Sequence, residues 1–164
     1  MLTITLISVS HKQPKWVVEA FEEYVKRLPA RELAFHFKEL KPEPRASDSD
    51  SVIAQAMRAE AAKIQTAIQT IPKGALILAL DERGEAVTSV QLAAKLQFWQ
   101  NEYSHVVLVV GGADGLDAAF KAQCHGLLRL SNLTLPHGMV RVLLAELEAM
   151  GVGQLRVSSK VRSE

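Results

Sequence analysis

Two short stretches constrain this chain more than any others: ALILAL, from Ala75 to Leu80, and HVVLVV, from His105 to Val110. Both are close to continuously apolar and too short for a buried helix. A strand without a polar face needs cover on both sides, which is the situation of a parallel strand inside an α/β domain. Leu2 to Val9 (LTITLISV) is a third run of this kind. Helical spacings separate these runs, so the fold class reads as α/β, a parallel-sheet core with helices on both faces. The 164 residues suffice for one complete core and are short for two, so residues 1–164 are expected to form a single domain.

The intervening elements follow from their periods. After Lys12-Gln13-Pro14, the residues Trp16, Ala20, Phe21, Tyr24, Val25 and Leu28 recur at helical spacing, with Glu19, Glu22 and Glu23 opposite and Pro29 as the stop. Leu33 to Leu40 alternates, Phe35 and Phe37 on one side and His36 and Lys38 on the other, as a half-buried strand does. KPEPRASDSDS, Lys41 to Ser51, reads as an exposed loop in which Lys41 and Arg45, with Lys38 before them, either meet phosphate or are simply solvated. Ser51 is a candidate cap for the next helix, whose Ile53, Met57, Ala61, Ile64 and Ile68 form a core stripe. DERGEA after Leu80 reads as a turn, Thr88 or Ser89 as a cap, and Val90, Leu92, Ala93, Leu96 and Trp99 as the lining of a helix. A short helix is expected from Asp117, a short strand over Leu127 to Leu130, and a last helix over Met139 to Met150, with Val140, Leu143, Leu144 and Leu147 inward.

Composition removes several classes of function. Lys plus Arg number 19 and Asp plus Glu 18, a net charge of +1, whereas a dedicated nucleic-acid binder often carries a strong basic excess. Any contact with nucleic acid then uses a local patch or a surface built from two subunits. Cys124 is the only cysteine, which excludes an intramolecular disulfide and a cysteine metal cluster, and it reads as a small buried apolar residue. No signal peptide is read at the N-terminus and no apolar run approaches the ~20 residues of a membrane span, so the expectation is a cytoplasmic protein. The histidines at 11, 36, 105, 125 and 137 lack metal-ligand spacing, and no metal is expected. Neither a phosphate loop nor a nucleophile elbow is present.

Ligands of open α/β sheets bind outside the carboxyl ends of the strands. Three ends stand out: Leu80-Asp81, the GGADG of Gly111 to Gly115, and LSNLTLPHGMVRV from Leu130 onward. The glycines permit close backbone approach or positive φ, although a tight turn explains them equally well. The last stretch follows neither a helical nor a strand period, yet carries Leu130, Leu133 and Leu135, so it reads as a packed loop with something to hold. His137 and Arg141, four residues apart, share one helix face. They stand either at a pocket mouth, with Arg141 meeting a phosphate or carboxylate, or as a cap-region histidine beside an exposed arginine.

Taken in order, LDERG, GGADGL and LSNLTLPHGMVRVLLAE, each following a strand, resemble the small SPOUT-superfamily methyltransferases that modify a pseudouridine of bacterial large-subunit ribosomal RNA at N3. ISVSHKQPKWVVEAFEEYVKR, with its Lys-x-Pro-x-Trp, is similar too, and the likeness spans roughly residues 1 to 146. It implies a C-terminal trefoil knot and S-adenosylmethionine held by Leu80, Gly111, Leu130, Ser131, Asn132, Leu133, Thr134 and Leu135. It also implies a homodimer acting on ribosomal RNA in the ribosome. The catalytic group stays unassigned, with His137 and Arg141 as the candidates.

From residue 147 the chain reads LEAMGVGQLRVSSKVRSE, where the family continues its helix toward a His-Pro-Tyr-His ending. Residues 147–164 are therefore an atypical tail. A second reading follows, a catalytically silent RNA- or ribosome-binding relative or a frameshifted, inactive form. It differs from the enzyme by binding no S-adenosylmethionine.

Overall fold

The computed structural model describes residues 1–28, 31–112 and 114–130, together with 140, 141 and 144. Nine elements follow one another: β1 (Leu2–Val9), α1 (Lys15–Val25), β2 (Leu33–Leu40), α2 (Asp50–Ile68), β3 (Leu76–Ala86), α3 (Ser89–Glu102), β4 (His105–Val110), α4 (Ala118–Gln123) and β5 (Gly126–Arg129). The five strands form one parallel sheet in the order β2-β1-β4-β3-β5.

Period-two alternation along the strands sorts the apolar side chains into two layers. Leu2, Ile4 and Leu6 of β1, Val106 and Leu108 of β4, and Leu78 of β3 pack with Phe21 of α1 and Leu92, Leu96 and Trp99 of α3. Ile7 and Val9, Val107 and Val109, and Ala79 pack on the other face, with Ala61 and Ile64 of α2 and Phe120 of α4. The connections obey one rule. Chain steps toward the β2 edge run through α1 and α3 on the first face, and steps toward the β5 edge run through α2 and α4 on the second. Alternating direction with alternating face is what a single crossover hand requires. Leu144, 1% exposed, joins the first layer, and Val140 packs against it.

The α/β reading therefore stands, with both faces of the sheet covered. The segments that would close a trefoil knot, and the tail from 147, lie outside the described residues.

Several local expectations are corrected. Trp16 is 56% exposed, because the buried stripe of α1 runs through Val17 and Phe21. Ser49 rather than Ser51 caps α2, its side chain accepting from the Val52 N–H. The α2 stripe also turns: Ala56, Glu60 and Ala67 are buried, whereas Ile53, Met57 and Ile68 are only half-buried. Val90 of α3 is exposed, and Thr88 forms a full capping box with Gln91. DERGEA is not a simple turn. β3 bulges out after Leu80 and rejoins β5 at Glu85, and a Cβ on Gly84 would lie 2.6 Å from the Leu128 carbonyl carbon. β5 covers Gly126–Arg129 rather than Leu127 to Leu130, which leaves Leu130 just beyond the strand. Cys124 is half-buried, packed on the second layer with its thiol donating to the Phe120 carbonyl, and burial pushes the thiol's pKa up.

Candidate active site

The parallel register brings three of the expected residues to one edge. Leu80 pairs with Val110 on one side and Leu128 on the other. Gly111 is one residue past Val110 and Leu130 two past Leu128, so Leu80, Gly111 and Leu130 share the carboxyl edge of three adjacent strands. Leu80, Val110 and Leu130 all rest partly buried on the first core layer and make an apolar ledge there. Beside it, β1 and β4 are neighbours whose chains leave toward opposite faces, through α1 and α4. Ligands in this class of sheet usually bind at such a point of divergence, outside the carboxyl ends of the strands. Ser131, Asn132, Leu133, Thr134, Leu135 and His137 lie outside the described residues.

The corner after β4 is built from glycine for steric reasons. Its Gly115 N–H donates to the Gly112 carbonyl at 3.0 Å, and Gly115 adopts φ +82°. A Cβ on Gly111 would lie 2.5 Å from the Gly115 carbonyl carbon, so the chain folds back on itself where a side chain would stand.

A charged network underlies this corner. Glu60, in the middle of α2, is 3% exposed. Its Oε2 accepts from the Glu43 N–H at 3.0 Å and from Arg45 Nη1 at 3.1 Å, and its Oε1 accepts from Arg45 Nη2 at 3.3 Å. The same guanidinium donates from Nε to Asp114 at 2.7 Å and from Nη1 to the Glu43 carbonyl. The hydrogen bond to Glu60 raises the Arg45 pKa against the opposing pull of burial. Arg45 is thus held inside the fold rather than offered to phosphate, whereas Lys38 and Lys41 are exposed. Glu60 escaped the sequence reading. Its one signal was a carboxylate set among the apolar positions of α2.

Asp81 sits at the bulge, accepting from the Arg83 N–H at 2.8 Å and from Lys121 Nζ at 3.0 Å. Burial pushes its pKa up, but the Arg83 hydrogen bond and the Lys121 ammonium outweigh burial and hold it below the ordinary carboxylate range. Arg141 stands apart from this corner. Its guanidinium lies 3.5 Å from the Phe37 ring centre and 4.8 Å from that of Phe21, with Glu39 at 3.9 Å. Desolvation lowers its pKa, partly offset by Glu39 and Glu22. The side chain is 11% exposed and meets a carboxylate of its own chain, an arrangement that neither sequence reading anticipated. Among the described residues no group of three or more His, Cys, Asp or Glu is placed to hold a metal, and no helix is long and apolar enough to cross a membrane.

The family model described as "Predicted SPOUT methyltransferase" matches residues 2–147. The chain is 50% identical over 145 residues to Ribosomal RNA large subunit methyltransferase H of Cupriavidus metallidurans, covering 88% of this chain and 89% of that protein. It is 49% identical, with the same coverage, to the protein of that name from Neisseria gonorrhoeae. A solved methylase family protein from Neisseria gonorrhoeae superposes with a TM-score of 0.50 at 15% identity, over 91% of this chain and 81% of that one.

Proposed function

The chain belongs to the SPOUT methyltransferase family, and on that premise we propose that it methylates N3 of a pseudouridine in bacterial large-subunit ribosomal RNA, with S-adenosylmethionine as donor. The observation that carries this reading is the 50% identity to a ribosomal RNA large subunit methyltransferase across nearly the whole of both chains. The same identity favours an active enzyme over a silent binding relative.

The chemistry of the edge fits the donor. An adenosyl group needs apolar cover together with backbone partners, and Leu80, Val110 and Leu130 present apolar cover where three strands end. Gly111 and its neighbours bring main chain close, without side chains in the way. When bound, the donor supplies an electrophilic methyl on a sulfonium, so the protein's task is orientation and exclusion of water. In this reading Leu80, Gly111 and Leu130 hold the donor together with Ser131, Asn132, Leu133, Thr134 and Leu135. The acceptor N–H must lose a proton, and Glu60, Asp81 and Asp114 are poorly suited to take it, because each is already engaged by Arg45 or Lys121. His137 remains the candidate. Arg141 fits a packing role better, its guanidinium lying over the Phe37 and Phe21 rings.

A ribosomal substrate puts the reaction in the cytoplasm, and the small net charge fits a homodimer whose RNA surface spans both subunits. The test is transfer of labelled methyl from S-adenosylmethionine to ribosomes lacking the modification. Label at N3 of one pseudouridine is expected. No donor binding by calorimetry and no transfer to any ribosomal RNA would replace the enzyme with a silent binding protein.

A further inference from the structure

We propose that Glu60, Arg45 and Asp114 act as a positioning clamp that sets the shape of the Gly111–Gly115 corner for the methyl donor, an inference that rests on the S-adenosylmethionine reading above. The argument begins with Glu60. A carboxylate that is 3% exposed in mid-helix carries a desolvation penalty that even a good ion pair often fails to recover. An apolar residue of similar volume would pack α2 on the sheet as well or better. Packing alone therefore does not account for a charge at this position.

What the charge joins does account for it. Glu60 receives the Glu43 N–H and two nitrogens of Arg45, which ties the loop after β2 to α2. Arg45 then reaches across 69 residues of sequence to Asp114, inside the corner after β4. The planar guanidinium makes both contacts at fixed angles, a geometry that a lysine ammonium does not reproduce. Gly112 also faces the carboxylate directly, since a Cβ there would lie 3.3 Å from Glu60 Oε1. The corner thus rests on Glu60 from below and is held at its tip by Arg45. Both oxygens of Glu60 are already engaged, so its role is to position the backbone and not to move a proton. Preorganising main chain that must touch a ligand lowers the ordering cost of binding.

The test titrates S-adenosylmethionine into the full chain by calorimetry, alongside urea unfolding of each variant. Asp114 is exposed, so D114A keeps the fold and removes only the tip contact. We expect D114A to weaken donor binding by roughly tenfold, the order expected of sub-ångström misplacement, with the unfolding midpoint nearly unchanged. R45K should match D114A, because one ammonium cannot serve Glu60 and Asp114 together. R45A should bind more weakly still, and R45A/D114A no more weakly than R45A. A merely structural role predicts the reverse pattern, with midpoints that fall and affinities of the folded fraction that hold. D114A and R45K binding the donor as tightly as the unaltered chain would overturn the clamp. No binding by the unaltered chain would instead remove the cofactor reading, and the clamp with it.

Discussion

At Gly111 the absence of a side chain is a steric requirement, and at Gly115 it is a conformational one. The two differ in what a methyl group would meet. At Gly111 it would strike backbone at 2.5 Å, whereas at Gly115 nothing lies within 4 Å and the cost comes from φ +82° alone. G115A should therefore lose about 1–2 kcal/mol, the cost of a left-handed residue with a Cβ. G111A should lose about 1–3 kcal/mol through forced backbone movement. It should also lose more donor affinity than its stability loss explains. Urea unfolding with calorimetry on both variants checks this, and equal affinities would contradict it. Asp81 gives a residue-scale dependence on pH. Its folded pKa is depressed, so its contribution is complete above the ordinary carboxylate range and fades as pH falls below about 4 through the folded value. D81N should flatten the acid side of the stability curve and leave its slope above pH 6 unchanged. Urea midpoints measured from pH 3 to 7 decide the point.

At the scale of elements, helix ends and faces carry the clearest consequences. Ser49 accepts the Val52 N–H at the start of α2, so S49A should cost about 1 kcal/mol while S51A stays within a few tenths. In α1 the contrast is between neighbours: V17A should cost about 1–3 kcal/mol, as core truncation does. W16A should be close to neutral, because Trp16 is exposed and Val17 is buried. Urea midpoints of the four variants test both contrasts. These elements also show what could be read in advance. β1, β2 and β4 were legible because their patterns mark strands of one or two buried faces, and hydrophobic period is a local property. The bulge in β3 was not, because DERGEA has turn composition and rejoins the sheet only by pairing with β5, some forty residues later. Trp16 misled because its spacing to Ala20 fits a helical stripe, whereas the register of α1 puts Val17 inward. For the candidate site, Leu80, Gly111 and Leu130 were read from strand ends, and the parallel register brings those ends to one edge. Glu60 was missed because its partners lie 15 and 17 residues away, and Asp114 joins only through Arg45. No local pattern contains that triangle.

For the whole molecule the governing quantity is charge. A net charge of +1 gives no long-range pull on a polyanion, so binding of an RNA substrate would draw on a few side chains, expected at the carboxyl edge of the sheet. Lys12, at the exit of β1, and Lys38 and Lys41, at the end of β2, are exposed on that side of the sheet. Arg45 cannot be added to them, because Glu60 and Asp114 already hold its guanidinium. Each phosphate neutralised on single-stranded nucleic acid contributes about −0.7 to the slope of log affinity against log salt, so one subunit with three such lysines should give about −2. A homodimer whose RNA surface includes both copies of the patch should give about −4 by the same counting. We expect the steeper value for binding to unmodified ribosomes at fixed magnesium. K12A/K41A should then reduce the slope by about 3, because each substitution acts twice. Donor binding should be untouched by the same change, since neither lysine belongs to the ledge of Leu80, Val110 and Leu130. A slope near −2 that falls by only about 1.4 in the double variant would assign RNA contact to a single subunit. A slope unchanged by the variant would move the RNA surface away from the β1 and β2 exits altogether.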